Sequence, residues 1–163
     1  SHHSYHYYVM HHVMQPAHIK RFQPAAATNA KAIPLNKGKS WTALTNQMSA
    51  NFGAGDYLMT PKDYWRLVMT DVMKNHRFVY QLLRVQSTPG HEAYFGGVYV
   101  NDPIIHANGN YGPYNCCVWA NVRTKQMVMF FTNNISYHQL RQTGSDLFNI
   151  YFGYPYVKGT NRP

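Results

Sequence analysis

The hydrophobic period of the chain changes at Tyr94, and this change constrains the fold more than any other feature. Runs rich in Val, Ile, Tyr, Phe and Trp follow one another at Tyr94–Val100, Pro103–Asn108, Tyr114–Asn121 and Gln126–Asn133. Such runs are typical of strands. The links between them are short, whereas parallel neighbours need crossovers of about a dozen residues or more. The sequence therefore predicts an antiparallel sheet of about four strands.

Helical signals lie on both sides of this predicted sheet. Thr60-Pro61-Lys62-Asp63 is typical of a helix start, with a capping hydroxyl, a proline at the first position and an acid three residues after the cap. Apolar residues at helical spacing predict a final helix over Leu140 to Phe152, ended by Gly153 and Pro155. The predicted class is α+β, in which the C-terminal helix packs on the sheet and a helical, loop-rich part comes first.

The length of 163 residues suits a single domain. Within it we expect a helix and a long loop over residues 1–52, a helical part over 53–92, and the sheet with its closing helix over 93–163. The first helix is expected to end at Pro16, because the residue before a proline is pushed out of the helical region. Residues 23–51 are expected to form a long connection, since prolines and a glycine interrupt any regular pattern there.

The chain is basic mainly because it has few acids. Fifteen Lys and Arg against six Asp and Glu give a net charge of +9, and no window is a run of basic residues. Clustering, rather than net charge, marks a nucleic-acid site, so no specific nucleic-acid partner is expected. No apolar run approaches the ~20 residues of a membrane helix, so no transmembrane segment is expected.

The cysteines and histidines predict no cofactor and no metal site. Cys116 and Cys117 are adjacent and would point to opposite faces of a strand, which favours two buried thiols over a disulfide or a metal site. Five histidines crowd the N-terminus, and two of them could approach a zinc ion, but no acid or cysteine stands nearby and a solvated face is favoured. These are His2, His3, His6, His11 and His12. A further set, with His91, Glu92, Asp102 and His106, matches no known ligand spacing.

Several segments, in order, resemble the serine β-lactamase and penicillin-binding (D-alanyl-D-alanine peptidase) superfamily and its esterase-like relatives. Residues 53–66 are similar to the glycine-rich stretch that opens a helix in this family, and residues 8–22 are similar to an earlier helix and loop. His106-Ala107-Asn108-Gly109 resembles the family's His-x-Gly segment, with the glycine one residue later. Residues 118–121 and 127–134 look like its last two strands, and a C-terminal helix follows. The resemblance covers only the C-terminal part of the family fold.

The resemblance implies acyl transfer, in which a serine attacks the acyl carbonyl of a small substrate. It assigns His106 as the polar catalytic group on an edge strand. It places an oxyanion-binding wall at Asn108, Gly109 and Asn110, where a backbone N–H would face the substrate oxygen. The family's nucleophile lies in Ser-x-x-Lys, and no serine of this sequence has a lysine three residues later. The family's Tyr-x-Asn element is missing as well.

The leading hypothesis is therefore the C-terminal part of a β-lactamase-like serine hydrolase acting on a β-lactam, a D-Ala-D-Ala peptide or an ester. A companion chain or a missing segment would carry the nucleophile, and the isolated chain is expected to be inactive. Members of the family are often extracytoplasmic, which suggests that location by resemblance alone. The alternative is a non-catalytic, basic, Tyr-rich module that binds a protein or a polyanion. An enzyme built on another constellation is a third, less favoured hypothesis.

Overall fold

A computed structural model of the chain describes residues 2–20, 23–24, 57–86, 88–111, 114–133 and 137–155. The chain divides into two compact units, Ser1–Lys74 and Asn75–Pro163. Most of the connection expected over residues 23–51, and the glycines at the start of the 53–66 match, lie outside the described residues. Among the described residues, no helix is both long enough and apolar enough to cross a membrane.

The described part of the N-terminal unit contains two short helices, each continued by a π-helical turn. Helix α1 spans Tyr5–Val9 and continues as a π turn over Met10–Met14, and α2 spans Pro61–Leu67 and continues over Val68–Val72. A two-residue antiparallel pair joins β1, Gln23–Pro24, to β2, Tyr57–Leu58. The core of this unit contains Met14, Ala17 and Ile19, against which Met59 and Leu67 pack.

Helix α2 begins where the sequence predicts. The Thr60 side chain accepts a hydrogen bond from the Asp63 amide at 3.1 Å and donates one to the Asp63 carboxylate at 2.9 Å. Pro61 occupies the first turn, where its missing N–H has no helical partner to lose. The capping residues therefore fix this helix start locally, which is why the sequence alone could locate it.

The C-terminal unit is a five-stranded antiparallel meander with one helix before it and one after it. The strands run in the order β3-β4-β5-β6-β7, so every strand pairs with its neighbour in sequence. Their bounds are Ala93–Phe95, Val98–Asn101, Ile104–Tyr111, Tyr114–Asn121 and Gln126–Thr132. Helix α3 spans His76–Leu82 and α4 spans Tyr137–Phe152. The α+β class, the antiparallel sheet and the closing helix are confirmed.

The expected strand count of about four is too low, because the run Tyr94–Val100 turns back on itself. Gly96 and Gly97 have φ values of +60° and +90°, which suit the tight turn between β3 and β4. A side chain at Gly96 would also meet the Phe78 ring of α3 at 2.5 Å. One apolar run therefore contains two short strands, and only the glycine pair marks the division.

The sheet packs α4 on one face. Ile104, Cys117 and Trp119 form its buried core with Leu140 and Phe148 of α4. On the opposite face, the Phe78 ring of α3 stacks on Phe95 at 6.0 Å. At Gly144 the backbone of α4 lies close to the Trp119 ring, because an added Cβ there would be 2.2 Å from it.

Candidate functional site

Strand register aligns four aromatic rings across the sheet face that α4 covers in part. Tyr94 lies opposite Tyr99, Tyr99 opposite His106, and His106 opposite Trp119, on four consecutive strands. The ring centroids are 5.1, 4.9 and 5.7 Å apart in that order. We call these four residues the aromatic row. It runs from Tyr94, which is 65% exposed, to Trp119, which is 6% exposed.

His106 is held within this row by a buried acid. Its Nε2 lies 2.8 Å from Oε1 of Glu92, and the two side chains are 12% and 6% exposed. The ring is nearly parallel to those of Tyr99 and Trp119, with interplanar angles of 16° and 21°. A carboxylate on one nitrogen and a ring on each face leave the imidazole little freedom to turn.

Glu92 belongs to the set with His91, Asp102 and His106 that matches no ligand spacing, and its contact with His106 is not predicted from the sequence. It stands fourteen positions before His106. The predicted meander is the signal that could have indicated this contact. Glu92 directly precedes β3 and stands two residues before Tyr94. Its side chain therefore lies on the same face as Tyr94 and His106. Of the other members of that set, Asp102 instead binds Arg123, with oxygens 3.1 and 2.9 Å from Nη2, and His91 is exposed.

The expectation of an edge strand for His106 is wrong, because β5 is the central strand of the described sheet. His106 pairs with Tyr99 on one side and with Trp119 on the other. After His106 the pairing of β5 changes. Strand β4 pairs with β5 only as far as His106, whereas β6 pairs along β5 to Tyr111. We call residues 107–111 the β5 edge, since no described strand pairs with them on the β4 side.

The three residues expected in the oxyanion wall lie on this β5 edge and differ in environment. The Asn108 side chain is exposed. An added Cβ at Gly109 would meet the Cys116 sulfur at 2.9 Å, so the strand pair is tightly packed there. The Asn110 side chain donates a hydrogen bond from Nδ2 to Oδ1 of Asn115, whose side chain is buried.

The backbone direction of the β5 edge follows from one hydrogen bond. The Val122 amide donates to the Pro103 carbonyl at 3.0 Å, just outside the β5–β6 pairing. Alternate residues of an antiparallel strand direct their N–H groups to opposite neighbours. The N–H groups of residues 105, 107, 109 and 111 therefore point to β6. A backbone hydrogen bond from Gly109 to the Cys116 thiol agrees with this parity. The N–H groups of Asn108 and Asn110 therefore point away from β6, to the side that β4 leaves open.

An open groove of about 340 Å³ lies beside this segment. Its lining is formed by Tyr94, Gly97, Tyr99, Ala107 and Asn108. The groove therefore joins the exposed end of the aromatic row to the start of the β5 edge. None of these five residues carries a charged side chain.

The N-terminal histidines form ring stacks. His3 stacks on Tyr7 at 4.2 Å, Tyr7 contacts His11 at 4.1 Å, and Tyr8 contacts His12 at 4.4 Å. Each pair is four residues apart, the spacing that brings side chains together on a helix. Among the described residues, no three His, Cys, Asp or Glu side chains are grouped so that they could hold a metal ion.

Both cysteines lie on β6 in the described sheet. Burial raises the pKa of the Cys117 thiol from 9.0 to about 12, and the adjacent Cys116 adds to the rise. Burial also raises the pKa of Cys116, although the Gly109 hydrogen bond partly opposes this. Neither environment favours a thiolate, so neither cysteine has the lowered pKa of an activated nucleophile.

Comparison with known proteins adds no relative to this geometry. No family model, no curated protein and no solved structure matches the chain.

Proposed function

We propose that the chain forms the C-terminal part of a β-lactamase-like serine hydrolase that transfers the acyl group of a β-lactam, a D-Ala-D-Ala peptide or an ester. The observation that carries the proposal is the backbone direction at the β5 edge. The N–H groups of Asn108 and Asn110 point to the side that β4 leaves open, beside a groove and just past the His106–Glu92 pair. That arrangement can supply one donor of an oxyanion hole.

In this proposal the residues of the chain have three separate roles. A backbone N–H of the β5 edge donates a hydrogen bond to the carbonyl oxygen as negative charge develops on it. His106 is a fixed polar group that orients the substrate, because its ring is held by Glu92 and by the rings on either side. The nucleophilic serine and its lysine come from a companion chain or from a further segment, since this sequence contains no Ser-x-x-Lys.

A labelling experiment tests the proposal. The protein is captured from its natural source with an antibody to this chain and treated with a fluorescent penicillin and a fluorescent fluorophosphonate. We expect label on a serine within Ser-x-x-Lys, on the captured polypeptide or on a chain that stays bound to it, and no label on the pure 163-residue chain. Label on the pure chain, or no labelled serine in the captured material, contradicts the proposal.

Proline variants test the oxyanion donor itself. Asn108→Pro and Asn110→Pro each remove one N–H from the side of β5 that β4 leaves open, a position where a sheet tolerates proline. In the captured enzyme, one of the two should slow acylation by roughly 100- to 1000-fold, as expected for loss of an oxyanion donor. Arg123→Ala, which changes an exposed turn residue, serves as the control and should leave acylation unchanged. Unchanged acylation in both proline variants contradicts a role for this backbone.

The second candidate function is a non-catalytic binding module, and the exposed rings of Tyr94 and Tyr99 favour it. Exposed tyrosines supply large, fairly rigid contact areas that need little ordering on binding. This candidate predicts no labelled serine in the captured protein. It also predicts that a stable complex with a partner is lost when Tyr94 is changed to Ala.

A further inference from the structure

The groove at the exposed end of the aromatic row is lined by two exposed tyrosine rings. Tyr94 and Tyr99 are 65% and 40% exposed, and their rings meet at 67° with centroids 5.1 Å apart. Tyr99 stacks on His106 at 4.9 Å, so its position is fixed from inside the sheet. A ligand in the groove therefore contacts two tyrosine rings that stand at a steep angle to each other.

Polar groups lie beside the rings. Gly97, with φ +90°, also lines the groove, and an added Cβ there would have no atom within 4 Å. The exposed side chain of Asn108, another lining residue, offers two donors and one acceptor. The two tyrosine hydroxyls add groups that donate and accept. Rings and hydrogen-bonding groups thus alternate within one small surface.

The five described residues that line the groove are all neutral. The nearby acid, Glu92, has its carboxylate on His106 and is 6% exposed. A phosphate-bearing ligand such as a nucleic acid requires cations along its path, and no described residue of the groove lining is a cation. The occupant that fits is therefore neutral.

The shape of the groove separates two kinds of neutral ligand. An aryl group gains most in an enclosed apolar pocket, where nearly all of its surface leaves water. This groove is open, so one side of any occupant stays hydrated. A pyranose ring suits that arrangement, because its C–H face packs on the negative face of an aromatic ring while its hydroxyls bond to protein and water. We propose that the groove binds one or two residues of a neutral saccharide.

Saccharide binding does not depend on acyl transfer. If both hold, the sugar part of the substrate lies on Tyr94 and Tyr99 while its acyl group lies at the β5 edge. The two proposals fail in different experiments, since saccharide binding is measured on the chain without any nucleophile. Loss of one leaves the result of the other unchanged.

Nuclear magnetic resonance titration of the full chain tests the proposal. The probes are cellobiose and N,N′-diacetylchitobiose, with benzyl alcohol and a thymidine oligonucleotide as competitors of other chemistry. An open site of this kind predicts millimolar binding, with Kd of about 1 mM. At least one disaccharide should shift the backbone amide signals of Gly97 and Asn108.

Tyrosine variants show whether the shifts come from the groove. Tyr94→Ala should weaken saccharide binding by roughly tenfold, since stacking on that ring is lost. Tyr94 is largely exposed on an outer strand of the described sheet, so the fold should persist. Tyr151→Ala, on α4, removes another half-exposed ring and should leave binding unchanged. No amide shift with either disaccharide, equal loss in both variants, or tighter binding of benzyl alcohol or the oligonucleotide at these amides overturns the proposal.

Discussion

Nε2 of His106 lies 2.8 Å from Oε1 of Glu92, and the contact bridges strand β4. Glu92 directly precedes β3 and His106 lies on β5, so the two side chains meet over the strand between them. Removing one member of a buried polar pair leaves the other without its partner, which costs more than the pair itself contributes. The pair therefore both stabilises the sheet and fixes the orientation of the imidazole.

Glu92→Ala should lower the free energy of unfolding by about 2–4 kcal/mol, because it removes the carboxylate that binds the partly buried His106 ring. Glu92→Gln keeps an oxygen that can accept the hydrogen bond and should cost about 1 kcal/mol. Urea denaturation of both variants measures the difference. A double-mutant cycle with His106→Ala should give a coupling energy of about 1–3 kcal/mol. Additive effects in that cycle would show that the contact contributes nothing to stability.

Gly144→Ala should destabilise the chain, although alanine is the better helix former by about 1 kcal/mol. An added Cβ would lie 2.2 Å from Cη2 of Trp119 and 3.3 Å from the Cys117 sulfur. Because overpacking of a core costs about 1–3 kcal/mol, the clash outweighs the gain in helix propensity. Thermal and urea denaturation check the sign. Arg141→Ala, an exposed change on the same helix, should alter stability by less than about 0.5 kcal/mol.

A second substitution separates the clash from other effects of Gly144→Ala. Trp119→Phe shortens the ring that the new methyl group meets. Alone it should cost stability, because it leaves a cavity against Phe148. Combined with Gly144→Ala, it should cost less than the sum of the two single changes. A sum that is simply additive contradicts the close approach of α4 to the ring.

Local signals explain which parts of the fold could be predicted. The start of α2 follows from Thr60, Pro61 and Asp63, which bond to each other within one turn. The meander follows from short links, which only antiparallel neighbours allow. The division into β3 and β4 depends on two glycines and on the close approach of the Phe78 ring to Gly96. That contact is tertiary, and the hydrophobic period does not encode it.

The strand that carries the candidate site could be predicted from the sequence, but the side-chain contacts of the site could not. The strand that carries His106 follows from its apolar run, whereas the central position of β5 depends on how β4 pairs. Glu92 has no local signal, since its partner is fourteen residues away and the register of two strand pairs brings them together. A contact between side chains so far apart in sequence can be predicted only once the pairing of the strands is known.

The turns at one end of the sheet allow a comparison of two polar residues. Oδ1 of Asn121, which is 7% exposed, accepts hydrogen bonds from the amides of Arg123 and Thr124 at 2.9 and 3.1 Å. Arg123 binds Asp102, but its own side chain is 56% exposed. Asn121→Ala should therefore cost about 1–3 kcal/mol, because two amides lose their acceptor.

Arg123→Ala should cost less than about 1 kcal/mol, because water and salt screen an exposed ion pair. Urea denaturation at low and high salt measures both variants. The effect of Arg123→Ala should shrink as salt increases, while that of Asn121→Ala should not change. A larger loss for Arg123→Ala than for Asn121→Ala contradicts this account of the turn.

The stability of the chain should fall in alkaline solution because burial raises the pKa of Tyr114, Cys116 and Cys117 on β6. Burial raises the pKa of Cys117 from 9.0 to about 12 and that of Tyr114 from 10.0 to about 12. The unfolded chain therefore loses these protons at lower pH than the folded chain. Stability rises with pH only where the unfolded state binds more protons, so here it decreases. The loss should begin near pH 9 and continue to about pH 12.

Variants of β6 identify the groups responsible. Cys117→Ala removes one titrating group and should flatten the decline in unfolding free energy between pH 9 and about 12, as Tyr114→Phe should above pH 10. Val118→Ala, a neighbouring buried change, should lower stability equally at every pH and keep the slope of the unmodified chain. Urea denaturation over this pH series measures the slope. An identical slope in Cys117→Ala and in the unmodified chain would mean that the thiol is not withdrawn from water as the packing of α4 requires.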